Sequence, residues 1–161
     1  MVFVLKNKFI SLALFIIIVV VLFRVVDKYN VIHKEKELTQ VLVENCRVQD
    51  KPCIVNIGDL NLRISFAKNI YYLKPFNIAI SAVDDSNINS MQVDFKMKNM
   101  DMGVNQFQLK RDIKKPGYWH GKALLPICVT GRADWYSELD VTTKKGRYQI
   151  ILPILVKQAS R

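Results

Sequence analysis

Short segments in which apolar and polar residues alternate dominate the chain after residue 59. In a β-strand this alternation directs every second side chain to the same face of the sheet. Turn sequences containing glycine, proline and aspartate separate the segments, as expected for antiparallel strands with one face in solvent. The alternating segments are Leu60–Phe66, Phe76–Ser81, Met91–Met97 and Trp135–Val141.

These segments predict a mainly β fold, an immunoglobulin-like antiparallel β-sandwich of about seven strands over Ile54–Val156. A strand over Tyr118–Leu125 would direct Trp119 into the core and His120 to the opposite face. Pro153 has no N–H to donate to a sheet, so we expect the last strand to lie at an edge or to contain a bulge.

The N-terminal region has a different pattern, because Phe9–Phe23 is fifteen residues long and contains no charge. Arg24 can extend to lipid headgroups, so the apolar stretch continues to Val26 and spans roughly 27 Å as a helix. We predict a transmembrane anchor. The alternative is a cleaved signal peptide, but the stretch is long for one and no small-residue cleavage motif follows it.

The pattern divides the chain into residues 1–26 as an N-terminal membrane anchor, 27–45 as a polar stalk and 46–161 as an extracytoplasmic β-sandwich domain. The helical spacing of Leu38, Val41 and Leu42 predicts a short helix in the stalk. Lys6 and Lys8 precede the apolar stretch of the anchor. Positive charge on this side favours an N-terminus inside the cell and a domain outside it. The predicted topology is single-pass, with the domain outside and the helix as the contact with the membrane.

The three cysteines are unevenly spaced. Cys46 and Cys53 enclose a short loop, which favours a disulfide in an oxidising compartment and leaves Cys128 unpaired. Two unbridged thiols, or a metal-binding pair, are the alternatives. The spacing is not typical of zinc sites, and no second cysteine pair exists to complete four ligands.

The formal net charge of +10 is scattered along the chain. Because no basic run is interleaved with aromatic residues, we expect no nucleic-acid partner. The charge fits anionic headgroups or an acidic partner instead. The sequence contains no nucleophile motif, glycine-rich phosphate loop or paired-histidine metal motif, so we do not expect an enzyme.

The segment Met97–Gly103, MKNMDMG, contains three of the five methionines. Met97 continues the inward-facing stripe, whereas Met100 and Met102 follow the strand and can point to the same side in an extended loop. Thioethers are soft ligands that suit Cu(I). The alternative is that these methionines fill gaps at the rim of the core.

Two further residues are candidates to complete such a site. Cys128 is either a third soft ligand or a small buried residue. His120 is either a ligand or an inert exposed histidine. The predicted metal ligands are therefore Met100, Met102, Cys128 and His120, and the predicted cofactor is Cu(I).

The order of several short motifs resembles the FixH/YtkA-like family of membrane-anchored extracytoplasmic bacterial proteins. The resemblance covers roughly 76–151. It implies a small β-sandwich behind an N-terminal anchor, located in the bacterial inner membrane, single-pass, with the domain in the periplasm. It also implies an association with copper and a role in assembly of respiratory haem-copper oxidases. The three cysteines are not typical of the family and indicate a divergent subfamily. The matching positions are Met100, Met102 and Gly103, then Gly117 and Tyr118, then Leu125 and Pro126, then Gly131 and Trp135.

Two functional hypotheses follow. In the first, the chain is a membrane-anchored copper-binding or assembly-factor protein that acts with a respiratory oxidase or a copper-delivery protein. In the second, it is a metal-free structural or interaction module that docks on a membrane complex.

Overall fold

The computed structural model describes residues 15–26, 38–100, 103–127 and 131–157. The chain divides into two compact units, 1–36 and 37–161. In the first unit, residues 15–26 form helix α1. The second unit contains nine strands: β1 (Leu38–Leu42), β2 (Cys53–Ile57), β3 (Leu60–Phe66), β4 (Phe76–Ala82), β5 (Ile88–Met97), β6 (Gln106–Arg111), β7 (Tyr118–Ala123), β8 (Trp135–Thr143) and β9 (Arg147–Ile154).

Helix α1 does not support the predicted membrane anchor. Its twelve described residues extend about 18 Å along the helix axis. Across the described ranges, no helix has both the length and the apolar character that a membrane span requires. The predicted location in the bacterial inner membrane, with the domain in the periplasm, is therefore wrong on this finding. Residues 9–14 of the predicted segment lie outside the described residues.

The strands form one nine-stranded sheet in the order β1-β9-β8-β5-β6-β7-β4-β3-β2. All neighbours are antiparallel except β1 and β9, which are parallel. The prediction of a mainly β fold is confirmed. The prediction of a seven-stranded immunoglobulin-like sandwich is not confirmed, because β6 pairs with both β5 and β7 and joins the two halves into a continuous sheet.

The inward faces of the strands supply the hydrophobic core. In β5, Met91, Val93, Phe95 and Met97 are almost completely buried. The rings of Phe66, Phe76 and Phe107 surround Phe95, with centroids 5.5–6.1 Å away. The same alternation holds in the other predicted strands, so the predicted register is confirmed.

Strand β1 lies where the sequence predicted part of a polar stalk. Residues 27–37 of that stalk lie outside the described residues, whereas Leu38–Leu42 pairs in parallel with 147–151 of β9. Leu38, Val41 and Leu42 therefore belong to an edge strand and not to a helix.

The two ends of the sheet approach each other, so the sheet is nearly closed. Strands β1 and β2 are consecutive in the chain but lie at opposite ends of the strand order. The Cys46–Cys53 disulfide lies in the connection between them, with 5.9 Å between the Cα atoms, and confirms the predicted pairing. The β2–β3 turn also contacts the β8–β9 turn, where Lys145 forms an ion pair with Asp59.

Candidate functional site

The methionine-containing loop begins with a tight turn at the end of β5. The Met100 N–H donates to the Met97 carbonyl at 3.3 Å, and Asn99 has a φ of +57°. Asparagine tolerates this left-handed conformation better than most residues. The turn places Met100 just outside the strand, half-buried and packed against the core.

The loop closes where the chain returns towards β6. The Phe95 N–H donates to the Asn105 carbonyl at 3.3 Å, and the Asn105 side-chain amide donates to the Phe95 carbonyl at 3.5 Å. These two bonds fix both ends of the loop on a buried part of β5. The described parts of this loop, 98–100 and 103–104, therefore lie beyond the end of β5.

A second segment, which precedes β8, lies against this loop. Arg132 donates through Nη2 to the Lys98 carbonyl at 2.8 Å, while its own carbonyl accepts a bond from the Tyr72 hydroxyl at 3.1 Å. Tyr72 in turn accepts a bond from Nε1 of the buried Trp135 at 3.1 Å. These contacts connect the core to both loops, so Tyr72 and Arg132 position this end of the domain.

Asp134 orients the Arg132 guanidinium. The two side chains form an ion pair, and the hydrogen bond from Arg132 lowers the pKa of the Asp134 carboxyl. Sequence analysis did not identify Arg132 or Tyr72 as functional, since neither belongs to a recognisable motif. The Gly-Arg-x-Asp-Trp order is the one signal that could have indicated a structured loop.

The structure does not place all the predicted ligands. Met102 and Cys128 lie outside the described residues. Cys128 is only three residues from Gly131 in the sequence, and Met102 directly precedes Gly103. Both glycines have positive φ angles, and a Cβ added at either would meet no atom within 4 Å. Among the described residues, the hydrogen bond from Arg132 to the Lys98 carbonyl joins the segment that starts at Gly131 to the loop that contains Met100.

His120 lies in a different part of the sheet. It is opposite Lys110 of β6, and the adjacent Leu109 is opposite Met91 of β5. Met97 is six residues farther along β5, which corresponds to roughly 20 Å. His120 is exposed on the outer face, as the alternation predicted. It cannot share a metal ion with Met100.

Conventional metal-ligand clusters are absent from the part of the chain that the structure describes. No three histidine, cysteine or acidic side chains converge there. Cys46 and Cys53 are joined in a disulfide, so their sulfurs are not available as thiolate ligands.

Comparisons with known proteins give only distant structural similarity. No family model and no curated protein matches the chain. Among solved structures, the human F-spondin reeler domain is 10% identical, with a TM-score of 0.39 over 60% of this chain and 89% of that one. A structure of the Reelin-N domain of F-spondin is 11% identical, with a TM-score of 0.40 over 62% of this chain and 87% of that one.

Proposed function

We propose that the domain is a Cu(I)-binding module whose ligands lie on the loop after β5 and on the segment before β8. Met100 and Met102 would supply thioether sulfurs, and Cys128 would supply the third ligand. The observation that supports this assignment is the hydrogen bond from Arg132 to the Lys98 carbonyl, which holds the methionine loop against the segment that follows Cys128. His120 is not part of the proposed site.

The donor set fits Cu(I) by its chemistry. Thioether and thiolate sulfurs are soft ligands and favour Cu(I) over harder cations such as Mg²⁺ or Ca²⁺. A site with three ligands leaves copper accessible to an acceptor. By its resemblance to the FixH/YtkA-like family, we propose that the acceptor is a respiratory haem-copper oxidase under assembly or a copper-delivery protein.

Anaerobic titration of the full chain tests this proposal. The protein competes with a chromogenic Cu(I) chelator, with ascorbate as the reductant so that the disulfide stays intact. We expect one Cu(I) per chain. The double variant Met100→Leu, Met102→Leu should bind at least about 100-fold more weakly, since even changes outside the ligand shell cost about 10- to 100-fold.

Leucine is chosen because it removes the thioether at nearly constant volume. Met97→Leu is the matched control, because Met97 lies in the core three residues before Met100 and should leave copper binding unchanged. His120→Gln should also have no effect. Failure of the wild-type protein to compete at micromolar concentration would refute the proposal, as would equal copper binding by the double variant.

A metal-free interaction module is the second candidate. The packing of Met100 against the core favours it, because a methionine that fills a gap needs no metal. In this case a partner captured by the full chain should remain bound after complete copper chelation and in the double leucine variant. Loss of the partner on chelation would instead support the copper site.

A further inference from the structure

The outer face of the sheet contains a groove that the proposed copper site does not use. It runs across β4, β7 and β6 and has a volume of about 710 Å³. The side chains that line it come from paired residues. Asn77 of β4 is opposite Lys122 of β7. His120 of β7 lies between Ala79 of β4 and Lys110 of β6. We name this surface the basic groove; its principal side chains are Asn77, Ala79, Lys110, Tyr118, His120 and Lys122.

Ala79 leaves a low floor between the longer side chains of the groove. Gly121 is opposite the buried Ile78, so its missing side chain belongs to the inner face of the sheet. A Cβ there would lie 2.6 Å from a methyl carbon of Leu109 and 3.2 Å from the Gln108 carbonyl oxygen, so glycine allows β6 to approach β7. The close approach brings Lys110 next to the side chains of β7.

Positive charge is concentrated along the groove. Lys110 and Lys122 flank His120, and the Lys115 ammonium lies 4.9 Å from the centre of the Tyr118 ring. None of the described carboxylates forms an ion pair with Lys110 or Lys122. Without an ion-pair partner among the described residues, the two ammonium groups add no salt-bridge stability to the fold.

One acidic residue lines the groove beside the lysines and offsets only part of their positive charge. Asp112 lies at one end, where its carboxylate accepts a 2.8 Å hydrogen bond from the Lys114 backbone N–H. The Tyr118 and His120 rings stack on each other with centroids 6.0 Å apart. The surface between Lys110 and Lys122 therefore consists of these rings and the small Ala79 side chain, on which an anionic chain can lie.

We infer that the basic groove binds an acidic segment of a partner protein in extended conformation. The strand geometry places the Cα atoms of Lys110 and Lys122 roughly 8 Å apart, across one strand spacing and two residues along β7. Alternate side chains of an extended peptide are about 6.6 Å apart, so two carboxylates at positions i and i+2 match the two ammonium groups.

Fluorescence anisotropy with a labelled Glu-Ser-Glu-Ser-Glu peptide tests this inference. The full-length, metal-free protein is used at low ionic strength, where exposed charge pairs are least screened. The double variant Lys110→Gln, Lys122→Gln should raise the Kd roughly 5- to 20-fold, the combined effect expected from the loss of two exposed ion pairs.

The matched control is Lys68→Gln, Lys144→Gln, which removes the same charge from exposed positions elsewhere. It should change the Kd by less than about twofold, the loss expected from diffuse attraction alone. Circular dichroism establishes that both variants are folded. Equal weakening by the two variants would overturn the inference, because it would show that only net charge attracts the peptide.

Inorganic phosphate provides the second arm of the experiment. At equal ionic strength it should displace the peptide no better than chloride does. Displacement by millimolar phosphate would contradict the inference and identify the groove as a phosphate site. Because the measurements use metal-free protein, their outcome does not depend on the proposed copper site.

Discussion

The Glu138 carboxylate is an acidic group that the fold buries in β8, with its side chain only 11% exposed. Lys96 of β5 donates to it, and Gln149 of β9 contacts the same oxygen at 3.4 Å. The hydrogen bond with Glu138 raises the pKa of Lys96 above its usual value of 10.5. Lys96 thus provides the positive charge that makes burial of this carboxylate tolerable.

Replacing Lys96 with methionine should therefore destabilise the domain by about 1–2 kcal/mol, because it leaves a buried carboxylate without its cation. The raised pKa means that the contribution of Lys96 is complete below pH ~10.4 and declines as the pH rises above that value. Denaturant unfolding at pH 7 measures the loss of stability in the variant, and unfolding above pH ~10.4 measures how the contribution of Lys96 declines.

Lys98→Met is the control, because Lys98 is exposed and its charge acts only at a distance, on the exposed Asp134. It should change the free energy of unfolding by less than about 0.5 kcal/mol. A difference between wild type and Lys96→Met that stays constant up to the highest pH would contradict the role given to the ion pair.

At the scale of single elements, the connection between β6 and β7 depends on one glycine. Gly117 has a φ of +76°, and its carbonyl accepts a 2.7 Å hydrogen bond from the Ala82 N–H. A Cβ at this position would lie 2.4 Å from the Ala82 carbonyl oxygen. The turn therefore requires glycine for two reasons, its backbone conformation and its contact with β4.

The variant Gly117→Ala should lose more stability than Gly131→Ala. Both positions have positive φ, which costs an alanine about 1–2 kcal/mol, but only at Gly117 does the new methyl group meet backbone. We expect a loss of about 3 kcal/mol or more for Gly117→Ala, including displacement of β4. Thermal unfolding of the two variants side by side measures the difference, and equal losses would show that β4 moves freely.

The alternation of side chains predicts individual strands well because it reflects local geometry. The inward stripe from Met91 to Met97 is visible in the sequence and is buried as predicted. In β1 the same approach fails, since the spacing of Leu38, Val41 and Leu42 fits a helix equally well. Only the pairing with β9, more than a hundred residues later, makes this segment a strand.

The candidate site could be predicted only in part for a related reason. The chemistry of Met100 follows from its residue type and from its place after a strand. The separation of His120 from that loop depends on the pairing of β7 with β6, which the pattern within one strand does not specify. The role of Arg132 depends on a contact between two loops that are remote in sequence.

At the scale of the whole molecule, the Cys46–Cys53 disulfide lies in the connection between the two strands at opposite ends of the sheet order. Cys53 is fully buried at the start of β2. The disulfide therefore restrains the only direct chain connection between these edges.

Cys46→Ala, Cys53→Ala should lower the free energy of unfolding by about 2.5 kcal/mol, the chain-entropy value for a closed loop of this length. Urea unfolding of this variant and of wild type measures the loss. In a separate check, both cysteines should resist alkylation until a reductant is added. Alkylation of either residue in the native protein without reductant would contradict the bridge.

The pairing of β1 with β9 has a consequence for the order in which the protein can be built. Gln40 and Gln149 are opposite each other although 109 positions separate them in the chain. At a synthesis rate of about 5–20 residues per second, β1 leaves the ribosome roughly 5–20 s before its partner exists. For that time its hydrogen-bonding groups have no native strand beside them. The sheet therefore reaches its final form only after β9 has been synthesised, and a chain truncated before β9 retains an open edge.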